Sequence, residues 1–288
     1  MPYRSIFRSD IFRDQTIVVT GGGSGIGRCI AHELAALGAN VVLTGRKPEK
    51  LEKVQAEIAE DGGSAEWRAF DIREETQVSE AIASLLAANP RIDGLVNNAG
   101  GQFPASLESI SQKGWDAVVR TNLTGGFLVA REVVRQSMKE NGGAIVNITA
   151  DNWNGMPLMG HSGAARAGMA NFTETAALEW SSYGVRVNAV APGKIASSGL
   201  DSYDEVTKQA IRSRYRYVPL NRFGTEAEVS AAVVFLLSDA AAYITGSILR
   251  VDGGTPLARP GWTMPDHRRS QAFQGFHRYT APKAVLRD

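Results

Sequence analysis

A cluster of glycines wedged between two contrasting runs constrains this chain more than any other feature. Thr16–Thr20 is apolar and β-branched, whereas Gly25–Leu37 repeats its apolar residues at helical spacing. Between them reads Thr20-Gly21-Gly22-Gly23-Ser24-Gly25-Ile26-Gly27. Glycine lets a backbone turn sharply and approach a ligand closely, and the first N–H groups of the following helix lack partners of their own. A strand, a glycine turn and a helix amino end together make a seat for a pyrophosphate. The glycines follow G-x-x-x-G-x-G at 21, 25 and 27 rather than strict G-x-G-x-x-G. Such a cluster is weak alone, but the flanking strand and helix supply the context the motif requires. Gly21, Ser24, Gly25, Ile26 and Gly27 are therefore expected to hold a dinucleotide.

The rest of the chain repeats the same alternation. Asn40–Gly45, Ser64–Phe70, Ile92–Asn97, Ala144–Thr149, Val185–Ala191 and Ser247–Val251 read as six further strands. Several are almost continuously apolar, as parallel strands covered on both faces must be. Pro48–Glu60, Glu75–Ala88, Gln112–Lys139, Ser162–Ser182 and Glu226–Leu237 carry helical patterns. The expected fold class is α/β: a single doubly wound Rossmann-like domain, with a seven-stranded parallel sheet and helices on both faces. It should occupy residues 1–254, with a C-terminal extension over 255–288. Two segments break the pattern. Lys194–Val218 is polar, follows a strand end and reads as a substrate loop. The extension mixes Trp262, Phe273, Phe276, His277 and Tyr279 with Arg259, Arg268, Arg269 and Arg278, too aromatic for a disordered tail. It is expected to pack on its own domain or on a neighbouring subunit.

The end of the second strand selects the dinucleotide. An NAD site places a carboxylate there for the adenosine ribose. This chain has Thr44-Gly45-Arg46-Lys47, with no acid before Glu49. The Arg46 fork can pair with a 2′-phosphate and Lys47 adds charge, so NADP(H) is the expected cofactor. Asp71 and Ile72, after the third strand, are positioned to reach the adenine.

The bulk chemistry narrows the partners. The 31 basic and 30 acidic residues leave a formal charge of +1, too small a field to favour nucleic acid or an anionic membrane. The single cysteine, Cys29, excludes an internal disulfide and suits a reducing compartment. The first fifteen residues carry three arginines and lack the apolar stretch of a secretory signal. A cytoplasmic protein acting on a small molecule, without a metal site, is expected.

Beyond the glycine turn, the chain has Asn97-Asn98-Ala99-Gly100 after the fourth strand and Asn122 in the long helix. Ala191-Pro192-Gly193 follows the sixth strand and Asp252-Gly253-Gly254 the seventh. In this order these motifs resemble the short-chain dehydrogenase/reductase family from about residue 14 to 254. The resemblance implies that Asn97, Asn98, Ala99, Gly100, Pro192, Gly193, Ile195 and Ser197 lie along the cofactor. It also implies that Asn122 organises an active-site water and that the protein is a homotetramer.

The catalytic signature departs from that family, which uses Tyr-x-x-x-Lys on the helix after the fifth strand. Aligned on the following Ala-Gly, this chain reads Ser162-Gly163-Ala164-Ala165-Arg166-Ala167-Gly168, so Ser162 and Arg166 occupy the two positions. The upstream serine is replaced by Thr149 or Ala150. A serine hydroxyl is too weak an acid to replace an activated phenol, and an arginine does not release a proton at neutral pH. Its fork can still hold ribose hydroxyls, and positions four apart share a helix face.

Reduction of a carbon–carbon double bond beside a thioester needs less: charge gathers on the carbonyl oxygen, and donors that hold it do much of the work. His161–Gly168 and Gly100-Gly101-Gln102-Phe103 resemble the trans-2-enoyl-CoA and 2,4-dienoyl-CoA reductase branches. Tyr3–Arg8 and the region of Phe276-His277 resemble bacterial citronellol/citronellal dehydrogenases instead. The substrate is accordingly expected to be an acyl thioester or a terpenoid. An alcohol dehydrogenase would need another acid/base, for which Asp151 and His161 are candidates; each reads equally as a local structural contact. A silent NADP(H)-binding protein is the third alternative. Trp153, Met156 and Met159 are expected to line an apolar cleft.

Overall fold

The first strand of the structure, a computed structural model describing residues 2–259, 261 and 265–286, is buried along its whole length. Trp262 lies outside the described residues. Ile17 and Val19 point into one apolar layer with Ile30, Leu34 and Val233, while Val18 points into the other with Ile82, Val129 and Val133. This alternation, with both faces apolar, is what a strand sandwiched between helix layers requires.

Among the described residues the strands are β1 (Thr16–Thr20), β2 (Asn40–Gly45), β3 (Ser64–Ala69), β4 (Gly94–Asn97), β5 (Gly143–Ile148), β6 (Val185–Pro192) and β7 (Ile248–Val251). They form one sheet in the order β3-β2-β1-β4-β5-β6-β7, every neighbouring pair parallel. The direction of winding reverses between β1 and β4, which opens a crevice at the carboxyl ends of the strands. The intervening helices are α1 (Gly25–Ala36), α2 (Pro48–Glu60), α3 (Glu75–Ala88), α4 (Gln112–Val119), α5 (Gly125–Val133), α6 (Lys139–Asn141), α7 (Gly160–Glu179), α8 (Glu205–Arg212) and α9 (Glu226–Leu237).

Two helical regions differ from the sequence expectation. The single helix expected over Gln112–Lys139 is helical throughout but opens into wide π turns at Arg120–Thr124 and Val134–Met138. The polar segment 194–218 is not all loop: Glu205–Arg212 forms α8, capped where the Asp204 carboxylate accepts the Thr207 N–H at 2.8 Å.

The described part of the C-terminal extension packs on its own domain. Phe276 is 2% exposed, clusters with Tyr3 and Cys29, and lies under the Arg28 guanidinium at 5.0 Å. Arg278 pairs with Glu60 at 2.9 Å and Asp61 at 3.0 Å. The Arg4 N–H donates to the Gly275 carbonyl at 2.9 Å, so the N-terminal segment and the extension clasp α1 together. Among the described residues no helix is long and apolar enough to cross a membrane.

Candidate active site

The glycine turn has the geometry of a cradle. Gly21 and Gly25 adopt φ of 67° and 56°, which residues with a Cβ rarely tolerate. A Cβ on Gly27 would meet the Gly21 carbonyl oxygen and the Asn98 Nδ2 at 2.4 Å each. Asn98 ties the turn to β4: its Nδ2 donates to the Thr20 carbonyl at 2.9 Å, and its N–H donates to Thr20 Oγ1 at 2.9 Å. Ala99 N–H reaches the same hydroxyl at 3.0 Å. Ser24, at the start of α1, makes no side-chain cap, so the first amides of α1 are left for a ligand. These features fit the pyrophosphate of a dinucleotide.

Arg46 and Lys47 are exposed past the end of β2 and make no side-chain hydrogen bond or ion pair among the described residues. Asp71 is committed elsewhere: its carboxylate takes Arg73 Nε at 2.9 Å and Nη2 at 2.5 Å, and Arg73 is the largest cause holding it below the usual carboxylate range. Ile72 is buried against α5, where a Cβ on Gly125 would meet it at 2.6 Å. Asn97 does not face the crevice. Its Nδ2 donates to the Gly126 carbonyl at 3.1 Å and to Asn147 Oδ1 at 3.0 Å, because a strand's successive side chains point to opposite faces.

A cleft of about 700 Å³ continues from this rim. Ile26, Asn98, Gly100, Pro192, Gly193, Ile195 and Ser197 line its cofactor side. Arg166 enters from α7 and Asp151 from the segment after β5. Met156 and Met159 form part of an apolar wall. Tyr203, Ile211 and Arg214 come from the α8 segment, so the polar stretch expected to touch substrate does border the cleft. Trp153 does not line it; its ring instead carries the Arg250 guanidinium at 5.6 Å.

Arg166 is the centre of the polar floor. Its Nη1 donates to the Ile148 carbonyl at 2.5 Å and its Nη2 to Asn122 Oδ1 at 3.3 Å. The residue keeps some surface where it lines the cleft, but its Nε is sealed from solvent without a partner. Burial alone pushes the guanidinium down to about 10, so it remains a cation at neutral pH, and no carboxylate offsets it. A buried charge left partly unsatisfied is costly, and polar groups of a ligand would relieve it.

Asn122 sits on the first π turn, buried, and brackets the backbone of one residue. Its Nδ2 donates to the Gly101 carbonyl and its Oδ1 accepts the Gly101 N–H, both at 2.9 Å. A Cβ on Gly100 would strike Arg166 Nη2 at 2.4 Å, so the glycine is what lets the arginine and the loop share this space. The other candidate on α7 lies deeper. Ser162 is buried, and its Oγ donates to Gln102 Oε1 at 2.5 Å; Gln102, not Ser162, faces the cleft. His161 is also buried, its Nδ1 accepting the Ser162 N–H at 2.8 Å and its ring set edge-on to Phe103 at 4.5 Å. Sequence alone marks Gln102 only through a resemblance; the fold sets it between Ser162 and the cleft.

A family model described as enoyl-(acyl carrier protein) reductase matches residues 21–256. The chain belongs to this group of the short-chain dehydrogenases/reductases: it is an oxidoreductase whose family binds a nicotinamide cofactor. It is similar to the solved structure of a citronellol catabolism dehydrogenase (AtuB) from Pseudomonas aeruginosa PAO1. That match has 61% identity and a TM-score of 0.80, covering 88% of this chain and 99% of the other. It is 35% identical to a peroxisomal 2,4-dienoyl-CoA reductase of Danio rerio, over 88% of this chain and 86% of that protein. An actinorhodin polyketide ketoreductase solved with NADPH is 31% identical with a TM-score of 0.79, covering 84% of this chain and 97% of the other.

Proposed function

We propose that the protein is an NADPH-dependent reductase of a carbon–carbon double bond conjugated to a carbonyl, with an unsaturated acyl thioester as the substrate class. The observation that carries this reading is the Arg166 guanidinium: buried, without a carboxylate partner, bonded to Asn122 and open to the cleft. When bound, the reduced nicotinamide supplies hydride to a substrate carbon. Negative charge then gathers on the carbonyl oxygen, and fixed donors in a water-poor site stabilise it where a phenol is absent. Arg166 holds the nicotinamide ribose or that oxygen, Asn122 fixes the Gly101 peptide beside it, and Ser162 orients Gln102. Exposed and uncommitted, Arg46 and Lys47 support recognition of the 2′-phosphate, and the presence of NADPH in the ketoreductase agrees with that choice.

The test is NADPH oxidation with enoyl-CoA and dienoyl-CoA substrates. Turnover is expected, with kcat falling on the order of 100-fold or more in Arg166→Met. A second reading, oxidation of an acyclic terpenoid alcohol, is favoured by the 61% identity to the citronellol catabolism dehydrogenase. Activity on citronellol with NADP⁺, and none on the thioesters, would replace the first reading by the second.

A further inference from the structure

The reductase chemistry leaves one proton without a source, since Arg166 stays charged and Ser162 is occupied with Gln102. The ends of three neighbouring strands gather a second set of charges on the cleft wall. Asp151 follows β5, Lys194 follows β6 and Asp252 follows β7. Their backbones are pinned to one another. The Asp151 N–H donates to the Pro192 carbonyl at 3.0 Å, the Gly193 N–H to the Val251 carbonyl at 2.9 Å, and the Gly224 N–H to the Lys194 carbonyl at 2.9 Å. A Cβ on Gly193 would meet Asp252 Cα at 2.7 Å, so the turn before Lys194 lies against Asp252. Asp151 and Lys194 both line the 700 Å³ cleft, and Lys194 and Asp252 line an adjoining cavity of about 510 Å³.

Among the described residues, three charged groups act on Lys194. Asp151 and Asp252 attract it, and Arg214, from the segment after α8, repels it. Arg250 stands 3.7 Å from Asp252 Oδ2, an atom buried without a hydrogen-bond partner, while Asp252 Oδ1 accepts the Gly254 N–H at 2.7 Å. Burial is the largest influence on both members of the inner pair. It pushes the Lys194 ammonium below the usual lysine range and, with the Asp252 charge, pushes the Asp151 carboxyl above its own. Both shifts bring the proton affinities of the two groups closer together.

We propose that Lys194, coupled to Asp151, is the proton donor of the cleft, delivering a proton to the substrate carbon next to the carbonyl. The proposal rests on the reductase reading above. Hydride addition at the β carbon shifts the double-bond pair to form an enolate, with the reduced nicotinamide dinucleotide as reductant. The enolate α carbon forms a bond to the proton as the Nζ–H bond breaks, and that bond's electrons remain on the amine. Water reprotonates the amine by way of Asp151. One hydride and one proton are consumed for each double bond.

The test combines a titration with turnover on the full chain. Competitive acetylation across pH, read residue by residue by mass spectrometry without substrate, is expected to give Lys194 a lower midpoint than the exposed lysines. Asp151→Asn, which removes an attracting carboxylate, should lower it further. Lys194→Met is expected to lose on the order of 100-fold in kcat with NADPH affinity unchanged. Lys194→Arg should not recover it, because a guanidinium keeps its proton. Titration of Lys194 with the surface lysines, or full activity of Lys194→Arg, would overturn the proposal. If the wild type reduces no unsaturated thioester, the reductase reading fails, and the proton-donor assignment falls with it. A low midpoint that responds to Asp151→Asn would then show the coupled pair to exist without that role.

Discussion

The cofactor half of the crevice and the substrate half are built by different means. Around β1, β2 and β4 the fit depends on backbone: positive-φ glycines, uncapped amides and an asparagine stitched to main-chain carbonyls. On the substrate side it depends on side chains, including Arg166, Asp151, Lys194 and Gln102, that line the cleft. Backbone geometry tolerates few residue types, whereas side-chain chemistry can be exchanged on an unchanged frame. The comparison explains how the glycine turn can be preserved while the residues on the substrate side of the cleft vary.

The largest expected effect tests the backbone half. In Gly27→Val, the new side chain meets a carbonyl oxygen and an amide nitrogen at a distance real Cβ atoms do not adopt, so one must move. NADPH affinity measured by calorimetry should fall on the order of 1,000-fold, about 4 kcal/mol. Gly101→Ala on the substrate side has open space around its Cβ and should leave that affinity unchanged. Equal losses in the two variants would dissolve the distinction.

A smaller effect sharpens the comparison at the seam between the halves. Glu226 opens α9, is buried, accepts a backbone hydrogen bond from Ser198 and lies close to Gly25. Burial, the largest cause, raises its carboxyl from 4.5 to about 7. A raised carboxyl binds its proton more tightly when folded, so its contribution is complete below pH 4.5 and is lost as pH climbs through 7. The difference in unfolding free energy between wild type and Glu226→Gln should therefore change by roughly 3 kcal/mol across that window, read from denaturant curves. A pH-independent difference would show that the Ser198 hydrogen bond and the Arg28 charge offset burial, so that the carboxyl binds its proton equally in the folded and unfolded chain.

The smallest effect concerns recognition at the outer rim. Arg46→Ala should weaken NADPH by about 1.5–3 kcal/mol, roughly 10- to 100-fold, and leave NADH within about two-fold. Equal weakening of both nucleotides would remove the 2′-phosphate from the argument.

What sequence could disclose follows the same division. Strands buried on both faces announce themselves as apolar runs, and β1 and β2 lie where the pattern puts them. Pro48 and the charged stripe of α2 mark that helix to the residue. β4 begins at Gly94 rather than Ile92 because Asp93 is drawn to the Thr16 backbone before the ladder forms. The α8 segment was masked by its polarity, although Asp204 three residues before Thr207 is a capping signal. Lys194 was hidden because its significance depends on Asp151 and Asp252, distant in sequence and adjacent only through the order β5-β6-β7. Ser162 and Arg166 share one helix, as their spacing predicts, but no sequence spacing shows that Gln102 intervenes before the serine reaches the cleft.

The wide turn that carries Asn122 has a genetic corollary. Each residue advances an α-helix by roughly 100°, so excising Thr121 alone would allow regular winding and swing the asparagine away from Gly101 and Arg166. The scaffold would survive such a lesion almost intact while the bonds from Asn122 to Gly101 and Arg166 were lost. A one-codon deletion there is thus a sharper way to silence the enzyme than most substitutions on the surrounding strands.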